Sequence, residues 1–166
     1  EPNVVACNAA ISACEEPGQW QLCVRLLNAM LDSVVEPDTV TCNAAVSACR
    51  LGHLWPHALC LLRAMRRRRL VLDVVTRNSA ISAFARGQRW EWALLCLFAD
   101  GSEWGWPPPD EPGYNAAIAA CEACRQWERA LVLLGRIELR RLRPSAVSYS
   151  ALVNVCGRSH RWDMVP

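Results

Sequence analysis

Residues 37–48 read Pro37-Asp38-Thr39-Val40-Thr41-Cys42-Asn43-Ala44-Ala45-Val46-Ser47-Ala48, and a Trp follows at position 55. The pattern returns. Leu72-Asp73-Val74-Val75-Thr76-Arg77-Asn78 precedes Trp90, and Pro144-Ser145-Ala146-Val147-Ser148-Tyr149-Ser150 precedes Trp162. The tryptophans Trp20, Trp55, Trp90, Trp127 and Trp162 stand 35, 35, 37 and 35 residues apart. Asn8, Asn43, Asn78 and Asn115 each lie twelve residues before one of the first four, and Ser150 holds that place before the fifth. A fixed period of this length is the mark of a repeat array.

The units run 4–38, 39–73, 74–110 and 111–145, with a partial fifth over 146–166 and the tail of a preceding unit in 1–3. Each opens with an apolar helix face. Cys7, Ala10, Ile11 and Cys14 fall at i, i+3, i+4 and i+7, as do Cys42, Ala45, Val46 and Cys49, and Tyr114, Ala117, Ile118 and Cys121. Small residues such as Ala9, Ala13, Ala44 and Ala48 let a neighbouring helix approach closely. Breaks follow at Pro17-Gly18, Gly52 and Gly87. A second helix then starts near each Trp, with Trp20, Val24, Leu27 repeated as Trp55, Leu59, Leu62, as Trp90, Leu94, Leu97 and as Trp127, Leu131, Leu134. It should end before Pro37, Asp73, Pro107–Pro109 or Pro144. A helix pair of this kind cannot bury both faces alone, so the expected fold is all-α, a solenoid of about four and a half stacked antiparallel pairs in one domain. The third unit carries two extra residues in an irregular stretch, 100–110, where a shortened second helix and an exposed loop are expected. The array has the look of a piece of a longer one.

Composition supports a packed fold. Hydrophobic residues make up 52% and charged ones 20%, which provides apolar surface to bury and argues against disorder. No apolar run is long enough to cross a bilayer, and no leader or secretory signal is evident. The net charge of +2, all 18 cations being Arg, neither requires nor excludes nucleic acid. Ten Cys are enough for a disulfide scaffold. However, Cys14, Cys49, Cys121 and Cys156 share a repeat position that Phe84 fills in the third unit, which marks a packing site. Buried thiols in a reducing compartment are expected.

Val-x-x-Asn near the start of each unit and Pro-Asp near its end resemble the pentatricopeptide repeat family, and the likeness spans essentially the whole chain. The resemblance implies a right-handed α-solenoid that binds single-stranded RNA one base per repeat. It implies base reading by Asn8 with Asp38, Asn43 with Asp73, Asn78 with Asp110 and Asn115 with Ser145, with Ser150 in the broken fifth unit. Val5, Val40, Val75 and Val147 would sandwich the bases, and Pro112 takes that place in the fourth unit. The family's code pairs Asn and Asp with uracil, and Asn and Ser with cytosine, giving 5′-UUUC-3′. A mitochondrial or chloroplast location, and roles in RNA processing, stability, editing or translation, also come only from the resemblance. So does the expectation of a monomer working with other RNA-processing proteins, away from membranes.

Simpler readings stand beside these. A recurrent Asn at a helix start often caps it, but these Asn lie inside the helix pattern, where base reading is the better account. The tryptophans share a face with aliphatic residues and are expected in the core. Arg66, Arg67, Arg68 and Arg69, and the group Arg136, Arg140, Arg141 and Arg143, suit helix C-termini; contact with phosphate is the second reading. Cys121-x-x-Cys124 with His53 and His57 lacks the spacing of a zinc site, so no metal or cofactor is expected. Deaminase signatures are missing, and no catalytic constellation stands out, so the chain is not expected to be an enzyme. A protein-interaction solenoid is the alternative.

Overall fold

The computed structural model describes residues 4–13, 20–32, 37–51, 53–99 and 105–158. Nine helices and no strand occur among the described residues. They are α1 (Val4–Ala13), α2 (Trp20–Asp32), α3 (Thr39–Leu51), α4 (Trp55–Arg67), α5 (Val74–Arg86), α6 (Trp90–Phe98), α7 (Glu111–Ala123), α8 (Trp127–Leu139) and α9 (Ala146–Arg158). The odd-numbered helices each pack on the next, α1 to α3 to α5 to α7 to α9. Each even-numbered helix packs on its own partner and on the following odd one, with no comparable packing between even helices among the described residues. The fold is therefore an all-α solenoid. The first helices form its tight layer, and the stack fans out on the side of the second helices.

Small side chains make that layer possible. Ala44, Ala45, Ala48, Ala80, Ala83, Ala117 and Ala120 are buried where first helices meet. Cys49, Phe84, Cys121 and Cys156 all sit in the core, and Cys14 lies outside the described residues. Burial pushes the Cys49 and Cys121 thiols up to about 12, so both stay protonated. On the second helices the buried stripe begins three residues after each Trp: Cys23, Leu27 and Met30, then Ala58, Leu62 and Met65, then Ala130, Leu134 and Ile137. Trp55, Trp90 and Trp127 are half-buried against the core, and Trp162 is not described.

Trp55 also explains a glycine. A Cβ on Gly87 would lie 2.4 Å from Trp55 Cδ1, so this break residue gives room to the preceding unit's tryptophan. The left-handed turn residues are instead His53, Gln88 and Arg125 between the helices of a pair, and Arg69 and Arg141 after α4 and α8. The backbone N–H of the next residue returns to the helix in each case, as in Arg89 N–H to Phe84 O at 2.9 Å and Leu70 N–H to Met65 O at 3.0 Å.

The third unit departs from its neighbours as its two extra residues suggest. Helix α6 has 9 residues where α4 and α8 have 13. The exposed loop needs correction in part: Gly105 is exposed, but Trp106 is buried in the main core at 4% exposure. Trp104 lies outside the described residues.

Candidate nucleic-acid interface

The last residue of each unit starts the next first helix. Asp73 is the N-cap of α5 and accepts the Thr76 N–H at 2.7 Å. Asp110 caps α7 and accepts the Gly113 N–H at 3.0 Å. Asp38 accepts the Thr41 N–H at 2.8 Å in the same way. Capping is thus the work of the Asp, and each Asn reaches it from the previous first helix. Asn8 Nδ2 donates to Asp38 Oδ2 at 3.1 Å, Asn43 Nδ2 to Asp73 Oδ2 at 2.9 Å and Asn78 Nδ2 to Asp110 Oδ1 at 3.0 Å. The two extra residues of the third unit do not separate the last pair. Asn115 Nδ2 reaches Ser145 Oγ and Glu111 Oε1, both at 3.3 Å.

A third group completes most junctions. The Thr41 hydroxyl donates to Asn8 Oδ1 and lies 2.9 Å from Asp38 Oδ1. Thr76 repeats this with Asn43 Oδ1 and with Asp73 Oδ1 at 2.8 Å. The Ser148 hydroxyl donates to Asn115 Oδ1 at 2.6 Å. These hydroxyls fix which way each amide faces, with nitrogen towards the acid and oxygen towards the hydroxyl. Sequence reasoning passed over Thr41, Thr76 and Ser148, although Asp-x-x-Thr is a capping signal. At the third junction Gly113 stands at this place, and Asn78 Oδ1 is buried with no hydrogen-bond partner.

Electrostatics follow from the cap. Burial pushes the Asp73 carboxyl up, but the Thr76 N–H and hydroxyl and the Asn43 amide outweigh it and hold it below 3.8. Asp38 is held below 3.8 by Thr41 and Asn8 against the same opposing effect of burial. Both acids are therefore carboxylates at neutral pH and can only accept.

Exposed apolar residues flank this row. Val5, Val40, Val75 and Val147 are 74%, 56%, 60% and 61% exposed, and Pro112 is exposed at the equivalent place. Each of Val5, Val40, Val75 and Pro112 lies three residues before an Asn and so shares its helix face. Because the three amide–acid pairs and the Asn115–Ser145 pair each bridge consecutive first helices, the four pairs form one row along the tight layer of the solenoid. Ser150 is exposed, and its hydroxyl donates to Val147 O at 3.0 Å.

Arg66 and Arg67 occupy the last turn of α4, Arg68 is its C-cap and Arg69 is the left-handed residue beyond, all four exposed. No group of three or more His, Cys, Asp and Glu that could hold a metal occurs among the described residues. Nor is any helix among them long and apolar enough to cross a membrane.

Comparison with solved structures finds the same fold. The nuclear proteinaceous RNase P 2 of A. thaliana matches 99% of this chain at a TM-score of 0.82 and 14% identity, over 37% of its own length. The pentatricopeptide repeat protein PPR10 from maize matches 99% at 0.75 and 23% identity. The chain spans 23% of PPR10's length. The PPR domain of Arabidopsis thaliana protein-only RNase P 1, solved in complex with tRNA, matches 93% at 0.77 and 15% identity, over 81% of its length. No curated protein matches. Residues 2–51 match the model of the PPR repeat family and residues 109–159 that of the pentatricopeptide repeat domain, together more than half of the sequence. The chain belongs to the pentatricopeptide repeat family.

Proposed function

We propose that this solenoid binds single-stranded RNA sequence-selectively, one base per unit, with a core target of 5′-UUUC-3′ read from the N-terminus. The observation that supports this most is the row of four paired polar groups at successive first-helix junctions, each beside an exposed Val or Pro. A carboxylate such as Asp73 offers only acceptors, so it favours a base edge with an N–H donor. The second N–H of the Asn43 amide can then meet a carbonyl. Uracil presents both groups side by side. Ser145 differs because its hydroxyl can donate, and the unprotonated ring nitrogen of cytosine is an acceptor. Valines on both faces of a base exclude water and strengthen these bonds. Two solved relatives of the fold carry RNA, PPR10 with an 18-nt psaJ element and the RNase P 1 domain with tRNA, which favours RNA as the ligand class.

The repeats act as a binding scaffold, with no catalytic step, on an organellar transcript whose processing, stability, editing or translation depends on being held single-stranded. Asn8, Asp38, Asn43, Asp73, Asn78, Asp110, Asn115 and Ser145 read bases, Ser150 begins a fifth site, and Arg66–Arg69 contact phosphate. The chain works as a monomer.

A binding titration tests the reading. A strand containing 5′-UUUC-3′ should bind more tightly than a purine strand of equal length, and both should weaken with salt. The double variant Asn43→Ala with Asp73→Ala should lose selectivity at the second base alone. Equal binding of the two strands by the unmodified chain would reject base reading and favour a protein-interaction solenoid.

A further inference from the structure

The fourth residue of each unit is Cys7, Cys42, Arg77, Tyr114 and Tyr149. In the middle three units this is a core position: Cys42 is 6%, Arg77 1% and Tyr114 0% exposed. Only in the third unit does it hold a permanent charge. The Arg77 guanidinium donates through Nη2 to Ala99 O at 3.3 Å, at the C-terminus of α6, and stacks on Trp106 with 5.2 Å to the ring centroid. A cation at a helix C-terminus accounts for that one bond. It does not account for Nε and Nη1, which are buried with no hydrogen-bond partner. The one ion pair among the described residues is Arg158 with Glu122; Asp110 acts on Arg77 only as an attractive charge without an ion-pair contact.

Arg77 lines a cavity of about 400 Å³. Its walls are Trp106, Pro107, Pro108 and Pro109 from the irregular stretch, with Arg136 and Arg140 from the end of α8. The Arg136 guanidinium is steadied over the Phe98 ring at 4.3 Å. Burial lowers the affinity of Arg77 for its proton; Cys96 and Asp110 oppose this, and Arg140 adds like-charge repulsion. Three guanidiniums around one opening favour an anion over another cation.

We propose that Arg77, Arg136 and Arg140 form a site for a phosphate-type oxyanion beside the third unit. Several oxygens on one small anion match the planar, multi-donor fork of each guanidinium. The phosphate comes either from a free phosphate group or from the backbone of a bound RNA strand. The irregular stretch then has a purpose: it carries Trp106 over Arg77 and closes one side of the pocket. The site does not depend on base reading; only its RNA source rests on that reading.

The test titrates inorganic phosphate into the chain by calorimetry against chloride at matched ionic strength. One saturable site is expected. The exposed Arg140→Gln should weaken it about tenfold, the scale of one charge-assisted contact. Arg77→Tyr, the residue of the next two units, should abolish binding while helical circular dichroism is retained. A second arm uses the 5′-UUUC-3′ strand. If the backbone supplies the anion, phosphate competes with the strand and Arg140→Gln lowers the salt slope by about one. If a free phosphate group supplies it, the variant loses phosphate and keeps its RNA affinity. Phosphate binding no better than chloride, or unchanged in Arg140→Gln, would overturn the site. A failure of base selectivity alone would leave the first arm untouched.

Discussion

The second and third junctions share a plan and differ by one hydroxyl. At the second, Asp73 caps α5, holds the Asn43 amide at 2.9 Å and accepts the Thr76 N–H at 2.7 Å, while the Thr76 hydroxyl donates to Asn43 Oδ1. At the third, Asp110 still caps α7 and still holds the Asn78 amide at 3.0 Å, but Pro112 and Gly113 stand where Val75 and Thr76 stand in the unit before. Asn78 Oδ1 is left without a donor. The carboxylate alone is thus enough to place the amide. The hydroxyl adds satisfaction of the buried oxygen and, with it, one defined amide orientation.

Making the second junction resemble the third should have the largest effect. Thr76→Val keeps the shape and the backbone N–H to Asp73 but removes the hydroxyl, leaving Asn43 Oδ1 unmet. Unfolding in urea should show a loss of about 1–3 kcal/mol, the penalty for an orphaned buried acceptor. A loss under about 0.5 kcal/mol, the ordinary scatter of surface changes, would mean water already serves the amide.

Comparison with the fourth junction sharpens the role of the acid. There Ser145 replaces Asp and Ser148 replaces Thr. Ser148 gives its single proton to Asn115 Oδ1 at 2.6 Å, which leaves the Ser145 proton able to turn outward. Asp73→Ser should therefore move the preference at the second base from uracil towards cytosine, by roughly tenfold in relative affinity, within the range of one good base contact. Competition between strands differing only at that base measures it, and an unchanged preference would remove the acid from the reading.

The converse change at the third junction should be smaller. A Cβ on Gly113 would lie 2.7 Å from Asn78 Oδ1 and 3.1 Å from Asp110 Oδ1, so the amide must move for Gly113→Ser to fit. If it moves, the new hydroxyl meets the bare oxygen and stability rises by about 0.5–1.5 kcal/mol. A fall instead would show that the amide is wedged, and that glycine is there for space.

The sequence made the array plain because Trp and Asn mark a period that chance does not produce. Asp38 and Asp73 were legible as partners of Asn8 and Asn43 only through the family likeness, since 30 residues separate each pair. Their capping role rests on a local bond, from the N–H three residues on, that a period of 35 residues does not display. Gly87 looked like a simple breaker, but what demands it is the Trp55 side chain from the unit before, a contact between units that no local pattern carries. Position four reads as apolar face in the first, second and fourth units, so Arg77 breaks that pattern; its contacts with Ala99 O and Trp106, from the far end of its own unit, are what no local pattern carries.

Acid should separate the junctions least, and in a defined direction. Asp38 and Asp73 are held below 3.8, first against burial, which raises them, by the bonds from Thr41 and Asn8 and from Thr76 and Asn43. A carboxyl with a folded value below its unfolded one adds stability that is complete above the unfolded value. That stability fades as pH falls through 3.8 towards the folded value. The second junction therefore has something to lose in acid, and Asp73→Ser removes it, since a hydroxyl does not titrate there. Urea midpoints followed from about pH 5 to about pH 2 should fall less steeply in Asp73→Ser than in the unmodified chain. Equal slopes would mean that the bonds to Asp73 survive its protonation, and that its part in the cap is geometric and not ionic.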